Sequence, residues 1–268
     1  PVTLMFCDVR GFTTISERLN AEQLTQFLNR LLTPLTNAIL NNRGTVDKYM
    51  GDAIMAFWNA PLDDREHERN AARAALDMLG ELAVLNEQWA AEAASRGEKH
   101  VPVRLGIGLN TAECCVGNLG SDLRFDYSVI GDGVNVASRL EGQSKHYGLQ
   151  VMIGESTAAK APDLALLEID LLAVVGRKEP TRVYTVLGNA GVKASPGFTG
   201  LAAAHDAMLV AYRARHFDEA ETLLVRAAAL PAAAPLEGVH RIYAERIAAY
   251  RQAPPPDDWN GVAVAEQK

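Results

Sequence analysis

Residues 44–58, GTVDKYMGDAIMAFW, read as two short apolar strands pinched together at Met50 and Gly51. Val46, Tyr49, Ile54, Met55, Phe57 and Trp58 are strand formers, and Gly51 tolerates the tight backbone reversal between them. Lys48 and Asp52 flank the pinch, so the tip of this hairpin carries one cation and one anion. Upstream, residues 4–16, LMFCDVRGFTTIS, form an apolar strand that delivers Asp8 to its end and then enters a loop ahead of a helix. Two carboxylates, Asp8 and Asp52, therefore stand at the tips of two strands. That is the arrangement a divalent cation site requires, and hard oxygen ligands suit Mg²⁺ or Mn²⁺.

Working outward, residue 20 is an asparagine placed to cap a helix in which Leu24, Phe27, Leu28, Leu31, Leu35 and Ile39 recur at helical spacing. Pro34 predicts a break or kink into two helical pieces. After the hairpin, Asp63, Asp64 and Glu66 predict the acidic first turn of a second helix with the stripe Ala71, Ala75, Met78, Leu82, Leu85 and Trp89. Residues 101–110 read as a strand, Thr111 as a turn, 112–116 as its partner strand, and 117–126 as a polar excursion. Tyr127 to Ile130 is a strand whose exit, Gly131-Asp132-Gly133, starts a helix on which Asn135 and Arg139 share one face. A strand at 149–153, a short helix at 155–160 and a strand pair at 165–172 and 182–187 follow. Paired strands separated by helices predict an α+β domain, an antiparallel-rich sheet with helices packed on it. The expected division is a domain over residues 1–188, a Gly/Ala/Ser/Pro linker over 189–200, a helical extension over 201–252 and a Pro-rich tail over 253–268 anchored by Trp259.

With 268 residues, 48% hydrophobic and 22% charged, the chain is long enough for one domain and an appendage. A net charge of −7 argues against a general nucleic-acid or anionic-membrane binder, so no nucleic-acid partner is expected. Three cysteines are too sparse for a disulfide framework, and no apolar run reaches the roughly 20 residues that span a bilayer. A reducing, cytoplasmic setting is expected. The chain starts at Pro1 without a methionine and reads as an excised piece whose upstream sensor, or membrane tether, is missing. The six histidines show no metal spacing, and Gly106-x-Gly108 lacks the rest of a dinucleotide fingerprint.

The segments FCDVRGFTTISE, GTVDKYMGDAIMAFW and DYSVIGDGVNVASRLEG, in this order, resemble the catalytic domain of the class III nucleotidyl cyclases, which form cyclic AMP or cyclic GMP from the nucleoside triphosphate. The resemblance covers residues 1–188 and implies a ferredoxin-like core. It implies that Asp8, Asp52 and the Val9 carbonyl hold two Mg²⁺ or Mn²⁺ ions, and that the amides of Gly11, Phe12 and Thr13 cradle the β- and γ-phosphates. Lys48 resembles the residue that reads the purine. Lysine only donates, which complements N1 of adenine and opposes the N1–H of guanine. The partner position falls at Ser128, where many adenylyl cyclases have aspartate and a bacterial subclass has threonine or serine. The Ser128 hydroxyl accepts from the adenine amino group but also donates, which implies looser discrimination. Asn135 and Arg139 resemble the pair that orients the ribose and stabilises the transferring phosphate. Arg177 or Lys178, with Arg177 favoured, falls where the family places a cation for the terminal phosphates.

The resemblance thus implies an adenylate cyclase acting on ATP as a head-to-tail homodimer, with each site shared between two chains. A guanylyl or dual-specificity cyclase is disfavoured by Lys48 and left open by Ser128. An inactive nucleotide-binding or dimerisation module would lack a metal or transition-state residue, and none is missing. The controlling signal and the role of residues 201–268 do not follow from the sequence.

Overall fold

Strand formers fill Val2–Val9 (β1) without polar alternation because the strand runs through the middle of the sheet, and Val2 to Met5, Cys7 and Val9 are all buried. The computed structural model describes residues 1–121, 123–173 and 180–264. After β1 come Phe12–Ser16 (α1), Ala21–Asn41 (α2), the hairpin Thr45–Met50 (β2) and Ala53–Trp58 (β3), and His67–Ser95 (α3). Leu105–Ala112 (β4), Cys115–Ser121 (β5), Arg124–Ile130 (β6), Asp132–His146 (α4), Val151–Gly154 (β7), Glu155–Ala158 (α5), Leu166–Ala173 (β8) and Thr181–Val186 (β9) follow. Beyond these lie Ala190–Lys193 (α6), Pro196–Arg213 (α7), Phe217–Ala228 (α8), Glu237–Gln252 (α9) and Ala263–Val264 (β10).

The main sheet runs β10-β8-β9-β7-β4-β1-β3-β2 from edge to edge. It is antiparallel apart from the β4–β7 and β8–β10 pairings, which matches the α+β expectation. Successive side chains of β1 and β3 go to opposite faces. Met5, Cys7, Ile54 and Trp58 join Leu31, Ile39 and Met78 of α2 and α3, whereas Leu4, Met55 and Phe57 meet Ala137 of α4 and Val129 of β6.

Five expectations are corrected by this arrangement. Pro34 lies inside one continuous α2: Leu31, Leu35, Ala38 and Ile39 are buried on both sides of it, so packing outweighs the one lost backbone bond. Thr111 and Ala112 continue β4, and the strand after them pairs with β6 in a separate two-stranded sheet. The stretch 117–126 is therefore mostly a hairpin; its described residues are exposed or half-buried, so no burial periodicity marked it. The linker reading of 189–200 gives way to helix, with Asn189 capping α6, Ser195 capping α7 and Pro196 at the first helical position. The tail supplies β10, parallel to β8.

Residues after 189 do not form a separate core. Leu201, Met208, Tyr212, Leu236 and Tyr243 share one apolar cluster with Val136, Leu140, Tyr147, Met152 and Ile169. Trp259 packs on Tyr212 and Tyr250 at ring distances of 5.2 Å. At the centre of the junction, Asp170 of β8 is 1% exposed and bonds Arg246 of α9 at 2.6 Å. It also accepts from Tyr147 at 2.5 Å and lies 3.1 Å from the Tyr243 hydroxyl. Among the described residues no single helix is long and apolar enough to cross a membrane.

The same junction buries His205, whose Nε2 is 2.8 Å from the Glu168 carbonyl and whose ring lies 5.7 Å from that of His240. Burial lowers the His205 imidazole from its ordinary 6.5 to about 4 and lowers His240 as well. The unfolded chain then takes up a proton at His205 that the folded chain refuses. This contribution to stability is complete above pH 6.5 and lost as the pH falls towards 4. Urea midpoints across that window should drop with pH in the wild type and drop less steeply in His205→Gln.

Candidate active site

Asp8 is the penultimate residue of β1, and Asp52 sits in the turn between β2 and β3, where Gly51 takes φ 68° to make the reversal. Because β1 pairs with β3 up to Cys7 opposite Ile54, the strand end and the turn come out at the same place. The Val9 amide donates to both carboxylates, to Asp8 Oδ1 at 2.9 Å and to Asp52 Oδ2 at 3.3 Å. Burial, then the hydrogen bond and charge of Asp8, push Asp52 up to about 6. A carboxylate whose proton affinity is raised by a second one beside it is a ready acceptor for a cation. Among the described residues no His, Cys, Asp or Glu makes this a cluster of three, so a bound cation would take its other ligands from backbone, water or substrate oxygens. That all-oxygen set fits Mg²⁺ or Mn²⁺.

Beyond β1, Gly11 adopts φ 69° and opens α1. The first backbone bond of that turn runs from Thr14 to the Gly11 carbonyl at 3.0 Å, and helix geometry leaves the amides of Phe12 and Thr13 without an intrahelical partner. Arg10, just before this loop, was passed over by the sequence reading. It pairs with Glu141 of α4 at 2.9 Å and contacts Ser144. A Cβ at Gly106 would collide with Arg10, and one at Gly108 with the α4 backbone, so the Gly-x-Gly pair is packing space for these contacts.

Lys48 and Ser128 lie 80 residues apart in sequence, and the structure brings Lys48 Nζ to 3.4 Å from Ser128 Oγ. Between them stands Asp47, which sequence reasoning missed. Its side chain is fully buried, with Oδ1 3.1 Å from Lys48 Nζ and Oδ2 accepting from Ser128 Oγ at 2.6 Å. The β2–β3 register shifts between Val46 and Lys48, making Asp47 the extra residue of a bulge. A bulge breaks the strict alternation of a strand, which lets Asp47 and Lys48 both approach Ser128. No pattern of apolar residues announces a bulge, so this contact was invisible beforehand.

Asn135 and Arg139 occupy the exposed face of α4, whose other face buries Val136, Ala137 and Leu140. Among the described residues neither is hydrogen-bonded to Asp8, Asp52, Lys48 or Ser128. Arg177 and Lys178 lie outside the described residues. A cavity of about 840 Å³ between β4, the end of α4 and the start of α9 is lined by Arg10, Arg104, Lys145 and Arg241 and includes none of Asp8, Asp52, Lys48, Ser128, Asn135 and Arg139.

Residues 1–188 match the family model described as the adenylate and guanylate cyclase catalytic domain. The chain is 33% identical to adenylate cyclase 1 of Rhizobium meliloti over 188 residues, covering 70% of this chain and 27% of that protein. Among solved structures it is similar to the adenylyl cyclase CyaB from P. aeruginosa, with 34% identity and a TM-score of 0.62 over 69% of this chain and 92% of that one. The guanylyl cyclase Cya2 gives 31% identity and a TM-score of 0.60 over 70% and 92%. The chain spans about a third or less of the length of the curated relatives it matches first.

Proposed function

This chain belongs to the adenylate and guanylate cyclase catalytic-domain family, the class III nucleotidyl cyclases, and from that premise we propose that it converts ATP to 3′,5′-cyclic AMP and pyrophosphate. The observation that carries the choice of base is the convergence of Lys48 and Ser128 at 3.4 Å. Lys48 donates to adenine N1 and Ser128 accepts from the exocyclic amino group, whereas guanine would set its N1–H against the lysine. Asn135 orients the ribose, and Arg139 follows the α-phosphate as its charge redistributes. The amides of Gly11, Phe12 and Thr13 hold the β- and γ-phosphates, with Arg177 assigned to the terminal phosphate. In the reaction the ribose 3′-oxygen bonds to the α-phosphorus, the bond to the bridging oxygen breaks, pyrophosphate leaves, and the hydroxyl proton passes to solvent. Two divalent cations, Mg²⁺ or Mn²⁺, held by Asp8, Asp52 and the Val9 carbonyl, supply activation of that hydroxyl and neutralisation of the triphosphate.

The proposed unit is a head-to-tail homodimer in which one chain supplies the carboxylates and the other supplies Lys48, Ser128, Asn135 and Arg139. Exposed Tyr49 and Met50 at the hairpin tip, with exposed Phe125, Tyr127 and Ile130 on β6, support this reading as apolar surface for a second copy. A dual-specificity reading rests on Ser128, since a hydroxyl can donate as well as accept. Competition of ATP and GTP at equal concentration separates the two. Lys48→Glu should lower kcat/KM for ATP by about 10- to 100-fold, the value of a charged hydrogen bond, and move the ATP:GTP ratio towards GTP. An unchanged ratio would remove Lys48 from base recognition.

A further inference from the structure

We propose that Asp47 sets the nucleotide preference of this site by fixing the direction of the Ser128 hydroxyl. The inference rests on the adenine reading of Lys48 and Ser128 given above. A serine at the second purine-reading position is chemically ambivalent: its hydroxyl carries one donor and two acceptor lone pairs, so alone it would accept from the amino group of adenine or donate to O6 of guanine. In this chain the ambivalence is removed from behind. An ionised carboxylate offers no proton, so the 2.6 Å contact between Ser128 Oγ and Asp47 Oδ2 is a bond in which the serine donates. With its only proton committed to Asp47, Ser128 presents lone pairs alone to a base. The other oxygen, Oδ1, lies 3.1 Å from Lys48 Nζ and steadies the donor that meets N1. One buried carboxylate thereby makes Ser128 an acceptor beside Lys48, which only donates, and adenine is the purine whose edge complements that pair.

Two structural facts make Asp47 more than a neighbour. Its side chain is fully buried while that of Lys48 is 43% exposed, so the carboxylate is enclosed by protein and the lysine stays open to an incoming group. Its place in the bulge of β2 exists at the expense of one rung of the β2–β3 ladder, and that shift lets consecutive residues approach the same serine on β6. Asp47 itself touches no substrate atom. It is a positioning residue that acts through Ser128.

The isosteric change Asp47→Asn tests this because the new amide has a defined orientation. Lys48 only donates, so the amide oxygen turns to Lys48 and the amide nitrogen to Ser128. Ser128 must then accept from Asn and turn its own proton outward, where it suits guanine O6 and opposes the amino group of adenine. The expected result is a fall of about tenfold in the ratio of kcat/KM for ATP to that for GTP, the size of one reversed hydrogen bond, with the fold retained. The advantage of ATP over purine riboside triphosphate, which lacks the exocyclic amino group, should fall in parallel. In a Ser128→Ala background the same Asp47→Asn change should move neither ratio. Asp47→Ala frees the hydroxyl and should move both ratios the same way by a smaller factor, which keeps the test available if the asparagine variant folds poorly. Loss of overall activity with both ratios unchanged, or an equal shift with and without Ser128, would overturn the role assigned to Asp47. Wild-type protein that forms no cyclic AMP from ATP would overturn the parent reading, and a wild type selective for ATP together with an indifferent Asp47→Asn would overturn this inference alone.

Discussion

An equal mixture of Asp52→Ala and Arg139→Ala chains is expected to recover about a quarter of wild-type cyclic AMP formation, although each variant alone loses about a hundredfold or more. The loss in the first variant follows from geometry. Asp8 and Asp52 converge on the Val9 amide within 3.3 Å, and removing Asp52 would leave one carboxylate where the proposed mechanism has two hold cations against a triphosphate. The loss in the second follows from charge, since Arg139 is the permanently ionised fork assigned to the transferring phosphate. Recovery follows from placement. Within one chain Arg139 stands on the exposed face of α4, with no hydrogen bond to either carboxylate among the described residues, and a head-to-tail dimer would bring it to the partner's Asp8 and Asp52 pair. Random pairing makes about half of the dimers mixed, and a mixed dimer has one site with both lesions and one with neither. Rates measured across protein concentration, well above the concentration at which specific activity stops rising, provide the check. A mixture no more active than the sum of its parts would mean that one chain carries a complete site.

Asp170→Ala is expected to cost about 3–5 kcal/mol of unfolding free energy and to loosen residues 237–252 from the sheet. Asp170 lies in the middle of β8 with its side chain 1% exposed, and its carboxylate is the common partner of Arg246, Tyr147 and Tyr243. Its removal strands the largely buried Arg246 guanidinium and takes the acceptor from the buried Tyr147 hydroxyl, while the Tyr243 hydroxyl keeps the Ile169 carbonyl at 2.9 Å. A guanidinium stays protonated even without its acidic partner, so the cation will not neutralise itself to relieve the cost. Denaturant unfolding gives the energy, and hydrogen exchange on α9 amides gives the location. The paired change Asp170→Leu with Arg246→Met should recover much of the loss, because replacing a buried ion pair whole is far milder than breaking it. If Asp170→Ala alone costs under about 1 kcal/mol, the junction is held by its apolar cluster and the ion pair is incidental.

The candidate site was legible in proportion to how local its signals were. Asp8 and Asp52 could be placed at strand tips because strand formers flank them on both sides and Gly51 marks the reversal. Asn135 and Arg139 could be placed on one helical face because four residues make nearly one turn. The helix Ala21–Asn41 announced its start with Asn20, whose capping box with Gln23 is present. Its continuity through Pro34 could not be read, because the compensation comes from the surfaces that Leu31, Leu35 and Ile39 are buried against.

The sequence alone determined the alternation of paired strands and helices, the two acidic strand tips and the motif order that identifies the family, since each is written in neighbouring residues through backbone propensity and periodicity. Only the tertiary structure decided that β5 and β6 pair with each other, that residues 190–252 share their core with the sheet, and that Asp47 stands between Lys48 and Ser128. Each of those facts depends on contacts between residues tens of positions apart, or on a one-residue slip in strand register. Local propensity carries no information about either, because their free energy appears only when the distant surfaces meet.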